Sequence, residues 1–157
     1  MANEFNANDI LEIAKQIEIN GAKYYREAAN RVDEQKHKLF LMGLAEMEDT
    51  HEKTFADMQK DLEGSEISTM TFDPANESAL YLKALADTRV FFEKDQPETT
   101  MKGILAAAIT AEKDSISFYL GMKELISENM GKSKIDDIIK EEMSHIRMLA
   151  GKLMQFT

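Results

Sequence analysis

The chain has 157 residues, a length that suits one domain with one core. Its net charge of -10 argues against nucleic acid or an anionic membrane surface as partner. The absence of cysteine excludes disulfides, thiol catalysis and cysteine-ligated zinc or iron–sulfur sites. Two Pro and seven Gly, set against abundant Ala, Leu, Ile, Lys and Glu, favour an all-helical protein. Met1 to Phe5 lacks the basic and apolar stretches of a signal peptide. No apolar run approaches the roughly 20 residues that span a bilayer. The expectation is a cytoplasmic protein with no membrane partner. The eleven Met residues read first as flexible core filling and second as reversible oxidant scavengers.

In chain order, the first long helix is predicted over about 8–31, with Asn6 or Asn8 as cap and Asp9 in the first turn. A second follows Asp33 and runs to about Leu62, stopping near Gly64. Gly64 to Pro74 reads as loop, and its β-prone stretch Ile67 to Phe72 is an extended connector. A shorter helix from about Glu77 to Lys94 carries Leu80, Leu82, Leu85, Val90, Phe91 and Phe92, the last two suited to covering the bundle or to a dimer contact. Gln96-Pro97-Glu98 opens the third long helix, which reaches Glu128 or Asn129. Gly131-Lys132-Ser133 makes the next turn, and Ser133 with Asp136 resembles a capping box for a fourth long helix ending at about Gln155. The expected fold class is all-α: one domain over 1–157, a four-helix bundle with a long crossover connection containing an additional short helix.

Two Glu-x-x-His motifs stand out. Glu18 is followed by Glu48 and His51, and Glu112 by Glu142 and His145, with gaps of thirty and three residues in both. An offset of 94 residues aligns about 8–62 with 98–156. Leu11, Ala14, Glu18, Gly21 and Tyr25 then match Leu105, Ala108, Glu112, Ser115 and Tyr119. Leu41, Leu44, Glu48, His51 and Phe55 match Ile135, Ile138, Glu142, His145 and Leu149. Each series is an alternating three-and-four stripe, the inward seam of a bundle helix. Residues i and i+3 share a helix face, so the Glu and His of each motif converge.

The candidate ligands are therefore Glu18, Glu48, His51, Glu112, Glu142 and His145. Four buried carboxylates without cations would repel and be heavily desolvated. Two divalent ions would bring their formal charge to zero, the arrangement of di-iron and di-manganese bundles. Carboxylate and imidazole suit Fe(II) or Mn(II) and do not exclude Zn. Tyr25 and Tyr119 lie on the ligand face, either hydrogen-bonding a ligand or filling the next core layer. Gly21 and Ser115 either leave room for an oxidant or let two helices approach closely. His37 reads as a surface or capping histidine, Glu46, Glu52 and Glu141 as solvated or supporting residues, and Tyr24 and Phe118 as packing.

The segments Ile17 to Tyr25, Glu48 to Glu52, Ala111 to Tyr119 and Glu141 to His145 resemble the ferritin-like superfamily, most closely the rubrerythrin family. The resemblance implies a ferritin-like bundle holding two iron ions per chain. Glu48 and Glu142 would be the bridging carboxylates, Glu18 and Glu112 terminal ligands, and His51 and His145 would bind one metal each. It implies an oxidoreductase of the oxidative-stress type that reduces peroxide or O2 with electrons from an external donor protein, and a homodimer. The chain departs from the full-length pattern: it has no cysteine for a rubredoxin centre, and Gly21 and Ser115 supply no extra carboxylate. Its ligand count is closer to bacterioferritin. The alternatives are a ferroxidase or iron-handling protein, and a non-enzymatic metal-binding oxidant sensor.

Overall fold

The computed structural model describes residues 6–62, 73, 75–88 and 98–156. Helix α1 spans Ala7–Arg31, and Asn6 caps it. The Asn6 side chain accepts from the Asp9 amide at 2.9 Å, and the Asp9 carboxylate accepts from the Asn6 amide at 3.0 Å. This reciprocal box satisfies two amides that the first turn leaves without helical partners. After Val32, the chain re-enters a helix at once as α2, Gln35–Leu62. So short a link makes α1 and α2 an antiparallel hairpin. Helix α3, Glu77–Asp87, is capped by Asn76. Helix α4 spans Met101–Leu125, and α5 spans Lys132–Leu153.

The structure moves several predicted boundaries. Helix α4 begins at Met101, because the Thr100 hydroxyl accepts from the Gly103 amide and caps the helix there. It ends at Leu125, where the buried Ile126 turns extended. A 3-10 turn over Glu128–Met130 then leads to Gly131, whose φ of 104° lies in the left-handed region. That residue reverses the chain in one step, so α5 starts before Ser133 can cap it. The predicted Ser133–Asp136 capping box is therefore absent. The predicted loop Gly64–Phe72, Pro74, and Arg89–Pro97 with Phe91 and Phe92 lie outside the described residues.

Helix α1 packs on α2 and α4 on α5; the two hairpins then meet through α1–α4 and α2–α5. The apolar core forms two clusters. One gathers Ile10, Leu11, Phe55, Met58, Met122 and Ile135. The other gathers Ala28, Leu41, Leu44, Ile104, Leu105 and Leu149. Burial of this kind stabilises by about 1.5–3 kcal/mol per large apolar side chain. Surface ion pairs such as Arg26–Asp49 and Lys123–Asp136 tie hairpin partners, but solvent screens them and they add little to stability. No helix among the described residues is long and apolar enough to cross a membrane.

Helix α3 belongs to the crossover and lies on α4. Leu82 is fully buried there, and the Tyr81 hydroxyl donates to the Ser117 carbonyl at 2.9 Å. The close approach requires Gly121: a Cβ at that position would sit 2.7 Å from the Tyr81 ring and 2.8 Å from Leu82 Cδ2. Replacing Gly by Leu gains about 1 kcal/mol of helix propensity but overpacks the α3–α4 contact. Gly121→Leu is expected to destabilise the protein by about 1–3 kcal/mol, read from denaturant midpoints.

Candidate metal centre

Between the two apolar clusters lies one polar layer. Glu18, Glu48, His51, Glu112, Glu142 and His145 all sit there, each at most 2 % exposed. They fall into two groups. Glu18, Glu48, His51 and Glu142 make one, and Glu48, Glu112, Glu142 and His145 the other. Within each group one ligand-type atom per residue lies within 4.8 Å of the rest. Glu48 and Glu142 are common to both, so the groups share two carboxylates. The imidazoles stack with ring centroids 5.5 Å apart and an interplanar angle of 17°.

Most contacts cross from one hairpin to the other. His51 Nδ1 lies 3.1 Å from Glu142 Oε1 and 3.4 Å from Glu18 Oε2. His145 Nδ1 lies 2.9 Å from Glu142 Oε2 and 3.1 Å from Glu48 Oε1, aligned for a hydrogen bond with neither. The Tyr25 hydroxyl on α1 donates to Glu112 Oε1 on α4 at 2.5 Å. The Tyr119 hydroxyl on α4 donates in turn to Glu18 on α1. The two tyrosines are fully buried and equivalent under the repeat.

The electrostatics follow from crowding. Burial, then the charges of Glu48 and Glu142, push the Glu18 carboxyl well above the ordinary range. Burial, then Glu142 and Glu48, do the same to Glu112. Burial also opposes charge on Glu142, but the close approach of the His145 and His51 imidazoles outweighs it and holds that carboxyl below the ordinary range. Burial disfavours the imidazolium of His145, yet the surrounding Glu112, Glu142 and Glu48 carry it up to about 12. Burial and the adjacent carboxylates raise both Tyr25 and Tyr119, so their hydroxyls remain donors at neutral pH.

Five buried side-chain atoms of the layer have no hydrogen-bond partner: Glu18 Oε2, Glu48 Oε1, Glu112 Oε2, Glu142 Oε2 and His145 Nδ1. An orphaned buried acceptor costs about 1–3 kcal/mol, and these orphans lie at one level of the core. All five are oxygen or imidazole nitrogen donors of the kind that bind divalent first-row metals. The residues therefore fit a two-cation centre.

The remaining sequence candidates sort as follows. The Ser115 hydroxyl donates to the Ala111 carbonyl of its own helix at 3.1 Å, and Gly21 is buried. Tyr24 donates to the Ile104 carbonyl at 2.8 Å, and Phe118 is core. His37, expected at the surface or in a cap, is buried and so not at the surface: Phe156 at the end of the chain lies beside it, with ring centroids 5.7 Å apart. It is remote from the layer. Glu46 and Glu52 are not among the buried residues of the layer, and their charges favour the Arg26 guanidinium. Glu141 accepts from His51 Nε2, and Met47 faces His145 Nε2. Met47 escaped the sequence reading, although the 94-residue offset pairs it with Glu141.

An antiparallel four-helix bundle with a crossover and a shared carboxylate–histidine layer defines the ferritin-like class. The structure superposes on that of a protein from Thermotoga maritima described as a candidate ferritin-like diiron-carboxylate protein, with a TM-score of 0.71, 23% identity and 100% of both chains covered. The chain belongs to the rubrerythrin family, whose profile matches residues 9–94. That segment contains Glu18, Glu48 and His51; Glu112, Glu142 and His145 come from the second copy of the repeat. No curated protein matches.

Without cations the layer opposes folding. A raised carboxyl pKa means the native state takes up a proton, so that group destabilises increasingly as pH rises above its unfolded value. Glutamine at Glu112 removes this cost and still accepts from Tyr25. Metal-free Glu112→Gln is expected to melt higher than metal-free wild type at pH 7, by the equivalent of about 1–3 kcal/mol.

Proposed function

We propose that the protein is a di-iron carboxylate redox protein that reduces peroxide or O2 with electrons from an external donor protein. The observation that carries this reading is the pair of four-residue groups sharing Glu48 and Glu142 in a buried layer. Glu18 and His51 would hold one iron and Glu112 and His145 the other, with Glu48 and Glu142 between them. The ions, when bound, would supply the electrons that cleave the oxygen–oxygen bond, since oxygen and imidazole donors leave both ferrous and ferric states accessible.

The chain's own residues prepare that chemistry. Tyr25 and Tyr119 each hold one oxygen of Glu112 and Glu18, leaving the other oxygen of each carboxylate unpartnered in the layer. The apolar clusters on either side keep bulk water out and strengthen every charge interaction between them. Reduction of one peroxide to two waters takes two electrons and two protons. These 157 residues contain no cysteine for a rubredoxin-type relay, so the electrons come from a donor outside them. The protein is read as a cytoplasmic homodimer.

A second reading, Fe(II) oxidation and iron handling, draws support from the α2–α5 face. A cavity of about 330 Å³ there reaches His51 between Asp57, Asp137 and Glu141, an acidic approach suited to a cation. Stopped-flow mixing separates the readings. Anaerobic Fe(II)-loaded protein is expected to oxidise at least tenfold faster with peroxide than with O2; the reverse order supports iron oxidation, and unchanged spectra with both count against either. Light scattering that reports a cage in place of a dimer also favours iron handling. Metal analysis of protein isolated without added metal is expected to find two irons per chain. Glu48→Ala and Glu142→Ala each remove a shared carboxylate, and both variants are expected to hold one or fewer; full loading of both removes the ligand assignment.

A further inference from the structure

The two halves of the centre are copies of one another, but the groups behind their histidines are not. Each imidazole turns Nδ1 toward the carboxylates and Nε2 outward to the opposite hairpin. His51 Nε2 lies 2.5 Å from Glu141 Oε2. His145 Nε2 lies 3.1 Å from Met47 Sδ. Glu141 and Met47 are repeat equivalents: each directly precedes the Glu of its Glu-x-x-His motif, 94 residues apart. The pseudo-symmetry that generates the centre is therefore kept in position and broken in chemistry, with a carboxylate on one side and a thioether on the other.

The difference bears on how well each histidine donates to a cation. An imidazole N–H that donates to a carboxylate is held in one tautomer and one ring orientation, and its opposite nitrogen becomes a better electron donor. A thioether is a weak acceptor and does little of either. Losing such an outer partner costs about 10–100-fold in metal affinity.

We propose that Glu141 and Met47 make the two cation positions unequal, the position of Glu18 and His51 binding a divalent ion at least tenfold more tightly than that of Glu112 and His145. This rests on the metal-centre reading. Glu141 is a positioning residue, acting through His51. It follows that the His145 position fills last and empties first, so the fully loaded centre depends on the side that Met47 backs. Both positions are open to exchange without a hole in the core, because the Glu141 side chain is 61% exposed and Met47 42% exposed.

The chain has only three histidines, so labelling them with 15N yields a spectrum of six ring nitrogens, and His37→Gln removes the two that are remote from the centre. Metal-free protein is titrated with Zn(II), a diamagnetic probe. At one Zn(II) per chain the Nδ1 resonance of His51 is expected to move, and that of His145 only toward the second equivalent. In Glu141→Met the preference disappears; in Met47→Glu both resonances move together; Glu141→Gln, which keeps an acceptor without charge, retains part of the preference. If His145 moves first or together with His51 in the wild type, or if the order is unchanged in Glu141→Met, the inequality is not caused by these residues and the inference is overturned. If neither histidine responds to Zn(II), the metal-centre reading itself fails. Sequential filling that is insensitive to either variant leaves the centre intact and removes only the inference.

Discussion

Four carboxylates at one level of a bundle core are the constraint around which this protein is built. Moving an ionised carboxylate out of water costs several kcal/mol even after relaxation. Glu18, Glu48, Glu112 and Glu142 also face one another. No arrangement of neutral neighbours balances that layer. Protons, imidazolium groups or cations must do so, and the unpartnered oxygens show that the protein groups alone do not complete it. The stability that carries this load comes from elsewhere, from the apolar clusters that sandwich the layer.

The same layer joins the hairpins. Tyr25 reaches from α1 to Glu112, Tyr119 from α4 to Glu18, His51 from α2 to Glu142, and His145 from α5 to Glu48. Each copy of the repeat thus supplies partners for the other copy's carboxylates. A single hairpin holds Glu18, Glu48 and His51 with no tyrosine to orient Glu18 and no second shared carboxylate. The centre exists only as an interface, and helix docking and site assembly are one event. This also explains why the repeat preserves Tyr25 and Tyr119 at matched positions: each is needed by the opposite half.

Much of this was legible in the chain. The helical stripes interrupted by Glu and His at a constant offset revealed a duplicated hairpin, because a bundle seam is periodic and a polar residue on it has to be accounted for. The six buried residues are the six that the spacing singled out. The errors have local causes. Ser133 and Asp136 have the form of a capping box, but the left-handed Gly131 starts the helix earlier, and propensity cannot weigh one turn geometry against another. His37 has the neighbours of a surface histidine, yet it is buried, with Phe156 from the far end of the chain beside its ring. Met47 looked like one more packing methionine because its significance lies across the bundle, at His145.

The sequence by itself determined the helix faces, the repeat and the six Glu and His residues of the central layer. These depend on spacing along one helix, and a helix of 3.6 residues per turn converts spacing directly into direction. Which carboxylates are shared, which tyrosine serves which glutamate, and what stands behind each histidine were decided only by the tertiary structure. Those pairings join residues roughly 90–100 positions apart on different helices, and they depend on the axial register and rotation at which two hairpins dock. Close packing of side chains from all four helices sets that register, and no periodicity within one helix encodes it.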